Sequence, residues 1–183
     1  MEGSGTEPLA RARHLVEQGA LGEAQRLVRR VVADEPSSAA ALTLAGQITV
    51  RSSTAGEAVR HFHRANCASR LDDPRPLLNL ARARQMAGQH ERAVAAARYA
   101  SELFATDPRP RGLLALLQAE AGNIDEAAAV LQAGETARLD GDTAYRIGTA
   151  LKHEPRHREL AVEMIERAAS TAGRFMQKAL RDL

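Results

Sequence analysis

The sequence predicts an all-α solenoid of about five helical hairpins followed by a short C-terminal helix. Apolar residues recur at three- and four-residue steps, as in Leu77, Leu80 and Ala81 and again in Ala93, Ala97 and Ala100, which is the helical period. The stretch from Pro74 to Pro108 is punctuated as one helix-turn-helix unit, with Gly88 in the turn and Asp107-Pro108 as the stop. The unit then recurs. Ala24, Ala58, Ala93, Ala127 and Ala161 step by 34, 35, 34 and 34 residues, and the turn glycines Gly88 and Gly122 stand 122 − 88 = 34 apart.

The first hairpin spans about residues 6–36, after a polar, glycine-rich lead at 1–5 that reads as flexible. Thr6 is a capping residue, and Glu7 sets a carboxylate in the first turn, where the helix dipole favours it. Glu17, Gln18 and Gly19 make the turn, and Leu21, Ala24, Leu27, Val28 and Val31 form one apolar stripe of the second helix, which is core. The second hairpin, about 37–73, opens on the capping residues Ser37 and Ser38. Its turn, Arg51 to Thr54, has no glycine, and its second helix runs on about four residues beyond the period to Asp73-Pro74. The third and fourth hairpins, about 74–107 and 108–140, are the most regular. In the fourth, RGLLALLQAEAG is apolar around its whole circumference, so neighbours are expected to cover it on both sides. The fifth, about 141–170, is looser. Pro155 breaks the helical geometry between His153 and His157, and both histidines are expected at the solvent. In the tail at 171–183, Phe175, Met176, Ala179, Leu180 and Leu183 fall on one helical face. A solenoid end needs such a cap, and the rival reading of the same face is a homo-oligomer surface.

Composition excludes several classes of function. The net charge of +2 gives no global attraction to nucleic acid, and 3% aromatic residues with no tryptophan leave little to stack on bases. The longest apolar runs, such as LLALL, are too short to insert in a membrane. A single cysteine, Cys67, forms no internal disulfide and fits a reducing, cytoplasmic setting. His63 and Cys67 are four apart on one helix face while His61 points elsewhere, which is too few ligands for zinc, so neither metal nor cofactor is expected. Phosphate-loop, nucleophile-elbow and zinc-protease signatures are absent, so the chain is not expected to be an enzyme.

A period near 34 carried by paired helices resembles that of tetratricopeptide repeats, over about residues 5–170. Ala12, Gly46, Ala81, Ala115 and Gly148 match the small residues with which that family packs its first helices, and Val28, Phe62, Ala97 and Leu131 its larger apolar positions in the second. Pro36, Pro74 and Pro108 close repeats one to three. The family's bulky aromatic near the start of the first helix is replaced by Pro8, Leu42, Leu77 and Arg111, and no subfamily is identified. The resemblance implies a right-handed superhelix whose concave wall, lined by the first helices, binds a peptide or helix of another protein. Carried over position by position, the wall comprises Leu9, Arg13, Val16 and Glu17, then Thr43, Gln47, Val50 and Arg51. Arg75, Leu78, Asn79, Arg82, Gln85 and Met86 follow, then Arg109, Leu116, Ala119 and Glu120. Five arginines against two glutamates there favour an acidic ligand, because guanidinium forks bind carboxylates bidentately. The lysine-asparagine clamp of some family members is not expected, since Leu9 and Arg13 stand at its first positions. The expectation is a protein-protein interaction scaffold or adaptor. Its alternatives are a secretion-type chaperone, a purely structural self-assembling solenoid, or the non-catalytic arm of a larger bacterial enzyme of sulfotransferase or glycosyltransferase type. The high alanine and arginine content points to a GC-rich bacterial gene.

Overall fold

The computed structural model describes residues 6–52, 54–70, 72–134, 139–171 and 175–182. The lead at 1–5, the side chain of Thr6, Ser53 and Leu183 lie outside the described residues, so what the sequence predicts of them stays an expectation. Among the described residues the chain is all-α: α1 (Thr6–Glu17), α2 (Leu21–Asp34), α3 (Ala39–Arg51), α4 (Ala55–Ala68), α5 (Arg75–Met86), α6 (His90–Leu103), α7 (Pro108–Glu120), α8 (Ile124–Gln132), α9 (Gly141–Leu151), α10 (Arg158–Ser170) and α11 (Met176–Asp182). A 3₁₀ turn, Pro155–His157, precedes α10. Contacts divide the chain into two compact units, one ending at Gln89 and one beginning at His90.

Turn chemistry sets the helix ends. At the end of α1, Gly19 takes φ 78°, its N–H donates to the Val16 carbonyl and the Ala20 N–H reaches back to Leu15. That left-handed closure satisfies two orphaned carbonyls, and other residues adopt it at a cost. The α3–α4 turn has no glycine and uses hydroxyls instead: Ser52 Oγ donates to the Ile48 carbonyl and Thr54 Oγ1 to that of Thr49. At the helix starts Ser38 Oγ accepts from the Ala41 N–H at 3.4 Å and Asp140 Oδ1 from that of Thr143 at 2.9 Å.

In the first unit α1 packs on α2, α2 on α3, α3 on α4 and α4 on α5. One core joins Ala12, Ala24, Val28, Val31, Leu44 and Ile48, and a second joins Ala58, Phe62, Leu80 and Ala83. In the second unit α7 is buried at every residue from Gly112 to Ala119 and packs against α6, α8 and α9, so the expected covering of this helix is found. The all-round apolar character of its sequence is therefore a packing requirement. A further core gathers Ala115, Leu131, Ile147, Leu151, Ala161, Met164 and Ala179. The short α11 lies on α9 and α10, where the Phe175 ring stacks on Tyr145 at 4.9 Å and the Tyr145 hydroxyl donates to Asp182 Oδ2 at 2.7 Å. Leu180 does not share the buried face of Ala179, as the period suggested, but is 54% exposed.

Asp107 caps α7. Its carboxylate accepts from the Arg109 backbone N–H at 2.9 Å and from the guanidinium of the same residue. That side-chain bond holds the Asp107 carboxyl below its ordinary value of 3.8. Asp107→Ala is expected to cost the second unit about 1 kcal/mol at neutral pH. Because the native pKa is lowered, the contribution is present in full above the unfolded value near 3.8 and is lost as pH falls through the native one. Urea unfolding of both proteins at neutral pH and at about pH 3 checks this, with the difference shrinking in acid.

Candidate functional site

In the first unit, α1, α3 and α5 present side chains to a common pocket of about 480 Å³. Arg13 enters it from α1, Thr43 and Gln47 from α3, and Arg75 and Asn79 from α5, with Asp72 and Asp73 supplied by the α4–α5 connection. Each polar group stands on a helix whose opposite face is tied into the core. Ala12 and Val16 beside Arg13, Leu44 and Ile48 around Gln47, and Leu77 and Leu80 around Asn79 are all buried. Helical spacing therefore fixes which residues can reach the pocket.

Among the described residues, the side chains of Arg13, Thr43, Gln47 and Asn79 make no hydrogen bond within the protein and remain available to a ligand. Arg75 is different: its Nε donates to Asp73 Oδ2 at 2.6 Å and its backbone N–H to Asp73 Oδ1 at 2.9 Å. The pocket is lined by three arginines, Arg13, Arg70 and Arg75, against two aspartates, so its charge is weakly positive. Gln47 and Asn79 each offer a donor and an acceptor, the pair that an extended backbone needs.

The remaining residues expected on the wall are distributed otherwise. Leu9, Val16 and Leu78 are buried at 5–7% exposure and support the helix layer from within. Val50 packs against the Phe62 core, and Arg51 donates to the Val16 carbonyl at 2.9 Å. Arg82 is exposed with no hydrogen bond or ion pair among the described residues, and Met86 is 54% exposed. Neither lines the pocket. Arg109, Leu116, Ala119 and Glu120 belong to the second unit. There Leu116 and Ala119 are buried, Arg109 is held by Asp107, and Glu120 pairs with Arg146 of α9. Three of the five wall arginines thus already carry a partner within the fold. For Arg75 and Arg109 an Asp two residues earlier at a helix start is a readable signal, while nothing in the sequence marks the bond of Arg51 to the Val16 carbonyl.

On the other side of the first unit, a pocket of about 160 Å³ opens between α2 and α4 over Val28, Val32 and Ile48. His61 lines it, with its Nδ1 buried and unbonded, and burial pushes its pKa below 6.5. His63 and Cys67 do share a face, with Sγ and Nδ1 3.9 Å apart. Among the described residues no three His, Cys, Asp or Glu side chains come together as metal ligands. No described helix is long and apolar enough to cross a membrane. His153 is exposed, as expected. His157 is not: the 3₁₀ turn swings its ring to 2.7 Å from Asp125 Oδ1, and this bond, with Arg156 alongside, lowers the Asp125 pKa.

Comparison with known proteins places these features. No family model matches the sequence, and no curated protein matches it. Solved structures do. YrrB, a "TPR protein with an unusual peptide-binding site", superposes on 98% of the chain over 91% of its own length, with a TM-score of 0.64 and 22% identity. The MamA protein does so on 100% of the chain over 98% of its own, with a TM-score of 0.70 and 17% identity. TTC0263, a thermophilic TPR protein of Thermus thermophilus, covers 97% of the chain with 96% of its own, at a TM-score of 0.72 and 15% identity. At these identities the likeness is one of fold.

Proposed function

We propose that this chain, whose fold is that of the tetratricopeptide-repeat proteins, is a non-catalytic protein-interaction scaffold that holds an extended peptide of a partner protein against α1, α3 and α5. The observation that carries this reading is the convergence of Arg13, Gln47 and Asn79, unbonded among the described residues, on one pocket of about 480 Å³. That volume lies in the range of ligand sites, and its polar groups fit a peptide backbone flanked by a carboxylate side chain. A fold alone does not fix function, and the support here is the chemistry of the pocket together with the peptide-binding site that the YrrB structure is described as having. The acidic preference narrows to Arg13, with Arg82 farther along α5, since Arg51, Arg75 and Arg109 are engaged. We place the scaffold in the cytoplasm, because its one thiol, Cys67, is exposed and unpaired.

Selection of binders from a displayed random-peptide library against the wild-type chain, followed by fluorescence polarisation on variants, tests the proposal. Arg13→Glu combined with Asn79→Ala is expected to weaken selected acidic peptides about tenfold, or 1.4 kcal/mol. Arg51→Ala, which removes a guanidinium already bonded to the Val16 carbonyl, is expected to leave their affinity within about twofold. Equal binding by the Arg13/Asn79 variant would move the site off this face.

A further inference from the structure

The junction of α9 and α10 in the second unit carries cationic groups that the fold itself does not use. Lys152, His153 and Arg158 line a pocket of about 440 Å³ whose floor includes Val162 and Ile165 of α10. Val162 is 41% exposed although it stands beside the fully buried Ala161 and Met164. Arg158, Val162 and Ile165 follow one another at four and three residues and so form one stripe of α10, while Glu159, Glu163 and Glu166 occupy the next stripe round. Among the described residues, Lys152, His153 and Arg158 make no side-chain hydrogen bond or ion pair.

Their isolation has a cause in the surrounding pairings. Two acids near the junction are taken by other cations, Glu154 by Arg156 and Asp125 by both Arg156 and His157, while Glu159, Glu163 and Glu166 lie on the next stripe of α10. Among the described residues, the one carboxylate lining the pocket, Asp182, accepts a hydrogen bond from the Tyr145 hydroxyl. Two permanent cations and a histidine are thus left facing an apolar floor with one engaged carboxylate among them. Mutual repulsion of such groups is relieved by a ligand that brings negative charge, and the exposed valine is covered by one that brings an apolar side chain.

We propose that this pocket is a second docking site, for a short acidic peptide segment that carries an aliphatic or aromatic residue. Its carboxylates pair with Lys152 and Arg158, and its apolar side chain seats on Val162 and Ile165. The pocket volume falls within the range of small-ligand sites and admits a few side chains. Nucleic acid is the poorer fit, because base stacking needs an open aromatic face. The nearby rings are closed to it: Tyr145 is 3% exposed, stacked on Phe175 and covered by the Lys178 ammonium at 5.5 Å. The site lies wholly in the second unit and stands independently of the pocket on α1, α3 and α5.

Fluorescence polarisation of the full chain with the labelled octapeptide Glu-Asp-Leu-Asp-Glu-Phe-Asp-Glu tests the proposal. Three comparisons accompany it: the same peptide with serine for leucine and phenylalanine, a labelled octathymidylate, and a double variant, Lys152→Glu with Arg158→Glu. The expected result is saturable binding of the octapeptide that the double variant weakens by about tenfold or more, while its helical circular dichroism stays unchanged. The serine peptide is expected to bind about fivefold more weakly than its parent, and the charge-matched control Arg30→Glu with Arg98→Glu, at exposed positions that line neither pocket, is expected to bind the parent as the wild type does. Absence of saturable binding to the wild type would overturn the proposal. So would equal binding by the Lys152/Arg158 variant, an equal loss in the Arg30/Arg98 control, or octathymidylate binding as tight as the peptide.

Discussion

Phe62→Ala is expected to cost the first unit about 3–5 kcal/mol, the top of the range for aromatic truncation in a core. Phe62 is 3% exposed on α4 and shares a core with Ala58, Leu80 and Ala83. Its ring lies against Gly46 of α3, so close that a methyl group at 46 would fall 2.6 Å from Cε1 of the ring. Much of the border of the cavity left by truncation is Gly46, Ala58 and Ala83, none of which has a side chain to swing in, so it closes only in part. Against total stabilities of about 5–15 kcal/mol for ordinary domains, most of the unit's margin is lost. Urea unfolding followed by far-ultraviolet circular dichroism reads the effect, and a loss under about 1.5 kcal/mol would show that the ring is not packed there. The partner experiment is Gly46→Ala. It is expected to be harmful alone and less so in a Phe62→Leu background, because the ring edge is what the new methyl meets. A double-mutant cycle gives the coupling.

Gly148→Val is expected to cost the second unit about 3 kcal/mol, because α9 and α10 meet there with no room between them. A Cβ at 148 would lie 2.9 Å from Ile165 Cγ1, 3.0 Å from the Ala161 carbonyl oxygen and 3.0 Å from Met164 Cβ. Two of those three atoms are backbone or next to it and cannot rotate aside, so the helices themselves must separate. Alanine at the same place gains up to about 1 kcal/mol in helix propensity and still comes out destabilising, since overpacking costs about 1–3 kcal/mol. Gly56→Ala in α4 is the contrast. Nothing lies within 4 Å of the place its new methyl group would take, and the change is expected to raise stability by about 0.5–1 kcal/mol. Thermal unfolding of the three variants separates space from propensity: a uniform gain would mean that α9 and α10 are not in close contact.

These two sites also show what the sequence made legible. Gly46, Phe62 and Gly148 are read from the resemblance to the repeat family, in which a helix crossing demands a small residue at a fixed place and repeats the demand in each hairpin. The ladder Ala24, Ala58, Ala93, Ala127 and Ala161 is buried to within 1% for the same reason. Interactions that obey no repeat period are not read from it. Arg75 and Arg109 turn back onto Asp73 and Asp107 because the first turn of a helix leaves N–H groups for a carboxylate, and the side chain follows the backbone. His157 meets Asp125 across 32 residues through a 3₁₀ turn whose geometry is not coded by a spacing. The pocket on α1, α3 and α5 falls between the two cases. Its residues are named by helical position, while which of them are left unbonded is settled only by the pairs that form around them.

The attachment of α11 sets an order of events at the end of the second unit. Seven residues are too few to hold a helix in water, so this one exists for as long as it rests on Tyr145, whose ring stacks on Phe175 and whose hydroxyl reaches Asp182. Its amides are therefore expected to exchange with deuterium through a partial opening of α11, ahead of the amides of α9 and α10. Peeling begins there. Asp182 departs with the helix, and for the lifetime of that opened state the surface at Lys152 and Arg158 loses the Asp182 carboxylate and becomes more strongly positive.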